Sequence, residues 1–116
     1  IKFELPDKIL PDDVYMMSEN MPEYPGGTLE LLKFISENTN YPDSAKAHNI
    51  QGKVIVRFIV DKDGNVVEPV ILKGVDPLLD DEALRIVNKL KGFSPGTQGG
   101  KPVSVYYMIP ISFTLH

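Results

Sequence analysis

The residues best suited to chemistry in this sequence are two clusters of carboxylates. The first, Asp61-Lys-Asp63-Gly64, begins like a calcium loop, which has ligands at positions one, three and five, glycine at six and glutamate at twelve. Here glycine comes at position four and position twelve is Leu72. Because aspartate followed by glycine is typical of a tight hairpin turn, we predict a turn and not a calcium site.

The second cluster is the run Asp80, Asp81 and Glu82. General acid–base pairs need two carboxylates that converge across a cleft, usually from separate elements. Consecutive residues of a helix point in diverging directions, and acidic side chains in a first turn interact favourably with the helix dipole. We therefore predict a structural role for this run.

Other chemistry is excluded by residue type or by context. The chain has no cysteine and two histidines, of which His48 lies at a predicted helix end and His116 is terminal. The glycines around Gly99-Gly100 follow a predicted helix and lead into a strand, whereas a phosphate loop leads from a strand into a helix. We predict no catalytic residue, no metal, no cofactor and no enzymatic activity.

Composition indicates one globular domain. The 116 residues are 42% hydrophobic and 24% charged, and the net charge is −4. Scattered basic residues without a basic excess argue against nucleic-acid binding, and no apolar run approaches the roughly 20 residues of a membrane span. Because the sequence begins with Ile1, we expect a piece of a longer protein whose membrane anchor lies elsewhere.

Three helices are predicted. The first follows Thr28 as N-cap and has an apolar face, the second is opened by Tyr41-Pro42, and the third follows the cap Asp76-Pro77 and ends near Gly92. The apolar face of the first helix consists of Leu31, Leu32 and Ile35.

Alternation of apolar and polar residues predicts strands over 53–61, 66–73 and 103–115. The third helix crosses between the last two strands, so an antiparallel sheet requires the first strand in the centre. The positions of Pro69 and Pro110 agree with this strand order, because both fall in the predicted outer strands, where a missing N–H can face solvent. The predicted fold is α+β, with a three-stranded antiparallel sheet in the order 2-1-3, helices packed on one face and an N-terminal helical extension. Phe58 is predicted to lie at the centre of the core, with Arg57 on the opposite face.

Residues 1–27 are predicted to form a lead-in strap ahead of a domain over 28–116. The segment contains several prolines but is too apolar for a solvated tether. It either packs on the domain or offers a surface to a partner. Its methionines Met16, Met17 and Met21 either fill gaps in packing or form a soft binding surface.

An ordered set of short motifs spans residues 41–115. The first half contains Tyr41-Pro42, Gly52-Lys-Val-x-Val-x-Phe58 and Asp63-Gly64, and the second contains Phe93-Ser-Pro-Gly96 and Gly100-Lys-Pro-Val103. This set resembles the C-terminal domain of TonB, the energy transducer of Gram-negative bacteria. The segment from Met21 to Gly27 and the helix after it resemble an N-terminal extension found in some members.

The resemblance implies a periplasmic domain of an inner-membrane-anchored protein that works with ExbB and ExbD on the proton-motive force. Such a domain binds the TonB box, an extended segment of outer-membrane transporters, by strand addition to its last strand, and so supports active transport such as siderophore uptake. Because Pro110 interrupts pairing, contact is expected mainly along 103–109. The implied peptide-binding residues are Tyr41, Pro42, Val103, Ser104, Val105, Tyr106, Tyr107, Met108 and Ile109.

Similar domains are fused to membrane-embedded zinc peptidases of the antibiotic-sensing type, so a sensory or docking domain is the alternative function. A Pro-rich spacer behind a single anchor helix in the parent protein would favour the transducer. Several membrane helices with a His-Glu-x-x-His motif would favour the peptidase fusion. The half-apolar second face of strand 53–61 leaves a homodimer possible.

Overall fold

The computed structural model describes residues 14–115. Within this range, three helices and five strands form one α+β unit. The elements are β1 (Val14–Tyr15), α1 (Thr28–Asn38), α2 (Asp43–Ala47), β2 (Gly52–Val60), β3 (Val66–Lys73), α3 (Pro77–Val87), β4 (Gly96–Gln98) and β5 (Lys101–Phe113).

The three predicted strands form the centre of the sheet in the predicted order. β2 lies between β3 and β5 and runs antiparallel to both. The prediction that the sheet has only these three strands is wrong, since β1 pairs in parallel with β5 on the side away from β2, and β4 pairs antiparallel with β5. β1 has only two residues and β4 is Gly-Thr-Gln, so neither shows an alternating pattern.

The core lies between the sheet and the helices. Alternate side chains of β2, including the fully buried Phe58, face α1 and α3, which confirms its predicted central position. Phe58 stacks on Tyr107 and meets the edge of Phe93, with ring centroids 5.5 and 5.9 Å apart. This core fixes β5 against β2 and so determines the position of the outer edge of β5.

The other face of the sheet carries no helix of the described residues. The guanidinium of Arg57 lies 4.5 Å above the centroid of the Tyr106 ring, a cation–π contact across the β2–β5 pair. Ile59, paired with Tyr106 and Val67, is 7% exposed even on this face. Neighbouring side chains of the sheet therefore cover part of the half-apolar second face of β2.

The helix ends agree in part with the predictions. Asp76 caps α3 through a 3.0 Å bond from the Leu78 N–H, with Pro77 as the first helical residue, as predicted. Gly27, not Thr28, is the N-cap of α1, and its carbonyl accepts the N–H of Leu31. Pro42 is the N-cap of α2, not its first residue.

The predicted end of α3 at Gly92 is also wrong. The helix ends at Val87 with Asn88 as its C-cap. Gly92 has a positive φ of 81°, but it lies in the connection that follows. The residues beyond contain β4 and the turn at Gly99-Gly100.

The strap packs on the domain over its described part, residues 14–27; residues 1–13 lie outside the description. Its backbone pairs with that of the β4 region at Asn20–Thr97 and Glu23–Ser94. The Tyr24 ring contacts the rings of Phe34 and Phe93. Met16 and Met17 are 70% and 77% exposed, so the interpretation that they fill gaps in packing is wrong.

Candidate functional site: the open edge of the last strand

One long strand edge of the sheet is only partly covered. β5 pairs with β2 from Val105 to Phe113, while β1 covers its other side at Ser104 and Val105 alone. From 106 to 113, no strand among residues 14–115 lies on that side. We call residues 106–113 the open edge.

Pro110 indicates which backbone groups face outward. Its register with Ile55 continues without a bulge on either side, and proline has no N–H to give to β2. A proline in an unbroken ladder directs its nitrogen toward the free side. Backbone groups of alternate residues point the same way, so the N–H and C=O groups of Tyr106, Met108 and Ser112 face outward with the Pro110 carbonyl.

A groove runs beside the far end of the open edge, between β5 and α1. It has a volume of about 370 Å³. We call it the α1 groove; its lining residues are Leu32, Ile35, Ser36, Thr39, Tyr41, Pro110, Ser112, Phe113 and Thr114. Leu32, predicted to share the apolar face of α1 with Leu31 and Ile35, is 49% exposed and so forms an accessible wall of the groove.

Tyr41 forms the floor of the groove together with Phe113. The two rings meet edge to face, with centroids 5.7 Å apart and an interplanar angle of 89°. The Tyr41 hydroxyl donates a hydrogen bond to the carbonyl of Ile50. Tyr41 is therefore fixed at both the ring and the hydroxyl, so its ring gives the groove a rigid surface.

The segment that leads into Tyr41 is held by an ion pair on α3 between the buried Glu82 and the partly exposed Arg85. Both Glu82 oxygens accept from the Arg85 guanidinium, at 2.7 and 2.6 Å, and one accepts the Asn40 N–H at 2.6 Å. Arg85 also donates to the Asn38 carbonyl at 2.7 Å. Burial alone would raise the pKa of Glu82, but the hydrogen bonds from Arg85 and Asn40 and the charges of Arg85 and Lys89 outweigh it and lower that pKa below its ordinary value.

The structure places the predicted peptide-binding residues in different surroundings. Val103 pairs with Gly96 of β4, and Ser104 and Val105 pair with β1. Residues 106–109 belong to the open edge, and Tyr41 lines the α1 groove. Pro42 lies in a neighbouring hollow with Asp43, Lys46 and Glu82.

Sequence reasoning did not identify the groove residues on α1 or the part of the edge beyond Ile109. The periodicity of α1 places Leu32 on the apolar face of the helix, and the proline at 110 predicts an interruption of pairing, with contact mainly along 103–109. The exposure of Leu32 depends on where α1 lies relative to β5. That position is set by tertiary packing, so no local sequence signal could have identified it.

The groups at this site are suited to binding an extended chain. Between Lys101 and Leu115 the chain has no charged residue. In the part of the chain that the structure describes, no group of three or more His, Cys, Asp or Glu residues could hold a metal ion. Within the same residues, no helix is long and apolar enough to cross a membrane. What the edge offers is a row of backbone donors and acceptors beside a groove lined by aliphatic, aromatic and hydroxyl side chains, none of them charged.

Comparison with known proteins gives one family. Residues 37–115 match the family described as Gram-negative bacterial TonB protein C-terminal. A solution structure of the Helicobacter pylori TonB C-terminal domain is similar with a TM-score of 0.59 and 27% identity, covering 79% of this chain and 87% of that one. The Pseudomonas aeruginosa TonB C-terminal domain has a TM-score of 0.51 and 30% identity, covering 67% of this chain and 79% of that one.

No curated protein matches the chain significantly by sequence. The family match covers more than half of the chain, so this protein belongs to the TonB C-terminal domain family. Domains of this family are non-enzymatic interaction domains, are periplasmic, and interact with outer-membrane transporters.

Proposed function

We propose that this member of the TonB C-terminal domain family binds the TonB box of an outer-membrane transporter by adding it as a strand to the open edge of β5. The observation that carries the proposal is the open edge itself: eight regular positions, 106–113, whose second side has no strand among the described residues. An extended peptide placed there gains main-chain hydrogen bonds from alternate residues of β5.

The position of β1 shifts the proposed contact along β5. Residues 103–105 already have strand partners, so a peptide adds most readily from Tyr106 onward. The Pro110 carbonyl accepts but its nitrogen cannot donate, so pairing continues past it with one bond fewer. The proposed binding residues are therefore 106–113 with Tyr41, and Pro42 contributes by positioning Tyr41.

Binding of an isolated peptide is expected to be weak. Each hydrogen bond contributes about 1 kcal/mol net, and the peptide loses conformational entropy when it becomes a strand. A dissociation constant on the order of micromolar or weaker follows. Weak binding suits a transducer, which must release its transporter after each cycle.

The remainder of the proposed function concerns the parent protein. We infer that the domain lies in the periplasm, joined to an inner-membrane anchor that works with ExbB and ExbD on the proton-motive force. Pulling on a strand added to β5 would transmit that force to the transporter, as active transport including siderophore uptake requires. The support for this is membership of the TonB family.

Backbone methylation of the peptide tests strand addition directly. Two synthetic TonB-box peptides are N-methylated at alternate amides, in the two possible phases, and their affinity is measured by calorimetry. In an added strand only one set of amides faces β5, so one methylated peptide should lose binding at least about tenfold and the other should bind like the parent. Equal binding by both would overturn strand addition.

A further inference from the structure

The wall of the α1 groove lies almost entirely outside the family's shared domain. The family match begins at residue 37, whereas α1 runs from Thr28 to Asn38. Leu32, Ile35 and Ser36 therefore belong to an element that the family definition does not include. Together with Phe113 and Tyr41, this element forms a groove against the one edge that we propose to bind a strand.

The geometry of a sheet determines which side chains of an added strand would reach this groove. Residues directly opposite each other on paired strands point to the same face. Ile111 and Phe113 face the helices and are 1% exposed, so peptide residues opposite them would point toward α1. Peptide residues opposite Pro110 and Ser112 would point to the other face of the sheet.

The chemistry of the groove favours an apolar side chain. Its wall is the half-exposed Leu32, its floor is the Tyr41 and Phe113 rings, and none of its lining residues is charged. Removing Leu32 from water together with an incoming aliphatic group is favourable. Hydroxyl groups of Ser36, Thr39, Ser112 and Thr114 also line the groove, but it offers no opposite charge to an ionic side chain.

We propose that α1 is a specificity element: it reads one side chain of the added strand, the residue opposite Ile111 or Phe113, and selects an aliphatic residue there. This inference rests on the proposed function, because it requires a strand on the open edge. It adds a side-chain preference that backbone pairing alone cannot supply.

The test is a double-mutant cycle between peptide and domain. One TonB-box peptide is prepared with leucine or serine as guest at each successive position, and affinities are measured for the wild-type domain and for Leu32→Ser. At one groove-facing position, leucine should bind wild type about fivefold to tenfold more tightly than serine. In Leu32→Ser this preference should fall to less than about twofold, while the serine peptide binds both domains equally.

Leu72→Ser is the matched control. Leu72 lies on β3, at the opposite edge of the sheet, and is 48% exposed against 49% for Leu32. This variant should keep the full preference for leucine. Because both leucines are half exposed, both variants should fold, and circular dichroism with thermal unfolding checks that they do.

The outcomes separate this inference from the proposed function. If no peptide perturbs the backbone amides of 106–113 in NMR spectra, strand addition itself is wrong. If those amides shift but leucine and serine bind equally at every position, or Leu32→Ser keeps the preference, strand addition stands and the role of α1 is overturned.

Discussion

The two outer edges of this sheet are built differently. β3 carries two bulges against β2, one at Glu68-Pro69 and one at Leu72, and Glu68 has a positive φ of 51°. Charges at Glu68 and Lys73 lie on the same strand. The open edge of β5 has no charge, and the β2–β5 register runs without a bulge from Gly52 to Val60.

This difference indicates which edge is open to pairing with a partner. Bulges, proline and charge are the features that proteins use to keep edge strands from pairing with other chains, and β3 combines them over eight residues. β5 has proline alone, with a two-residue strand from the strap at one end. An unprotected edge is an aggregation hazard, and its presence supports the proposal that β5 receives an added strand.

The largest effect that we predict concerns the core that holds both edges. Phe58→Ala should lower the free energy of unfolding by about 3–5 kcal/mol, because a fully buried ring is lost and a cavity remains. Arg57→Ala, on the other face, loses mainly the contact with Tyr106 and should cost about 1 kcal/mol. Urea unfolding measures both, and equal or reversed costs would contradict the assignment of faces.

The turns of the β2–β3 and β4–β5 hairpins also differ, because one is packed against the domain and the other is open to solvent. Gly64, between β2 and β3, has a φ of +82°, and a Cβ there would lie 2.0 Å from the carbonyl oxygen of Phe93. Gly64→Ala should therefore cost about 3 kcal/mol or more. Gly99, before β5, has a φ of +60° and open space around it, so Gly99→Ala should cost about 1 kcal/mol. Similar thermal stabilities for the two variants would contradict this.

The elements predicted correctly from the sequence are those that a local pattern of residues specifies. Alternation and the Asp-Gly turn predicted β2, β3 and their hairpin, and Asp76-Pro77 predicted the start of α3. β1 and β4 were missed because each depends on β5, a partner that a two- or three-residue segment does not reveal. The acidic run predicts a helix-dipole role for Glu82, although the spacing of Glu82 from Arg85 is that of a helical ion pair.

That ion pair gives a smaller prediction on the β5 side of the molecule. Glu82→Gln should cost about 2 kcal/mol at pH 7 by weakening the charged hydrogen bonds that hold residues 38–40. Because the folded pKa of Glu82 is lowered, its contribution is present above the unfolded value of about 4.3 and is lost as the pH falls through the folded pKa.

Urea unfolding at pH 7 and pH 3 checks the sign. The gap in stability between wild type and Glu82→Gln should narrow at pH 3. Glu37→Gln, at an exposed position on α1, should stay within about 0.5 kcal/mol of wild type at both pH values. A gap that widens at pH 3 would contradict the proposed ion-pair origin.

The central claim is that β5, and not β3, receives the added strand, and amide NMR of the labelled domain tests it most directly. During titration with a TonB-box peptide, the amides of Tyr106, Met108 and Ser112 should shift and become protected from hydrogen exchange, because they gain acceptors. Those of 66–73 should stay unchanged. Shifts and new protection confined to 66–73, with none along 106–113, would contradict the account.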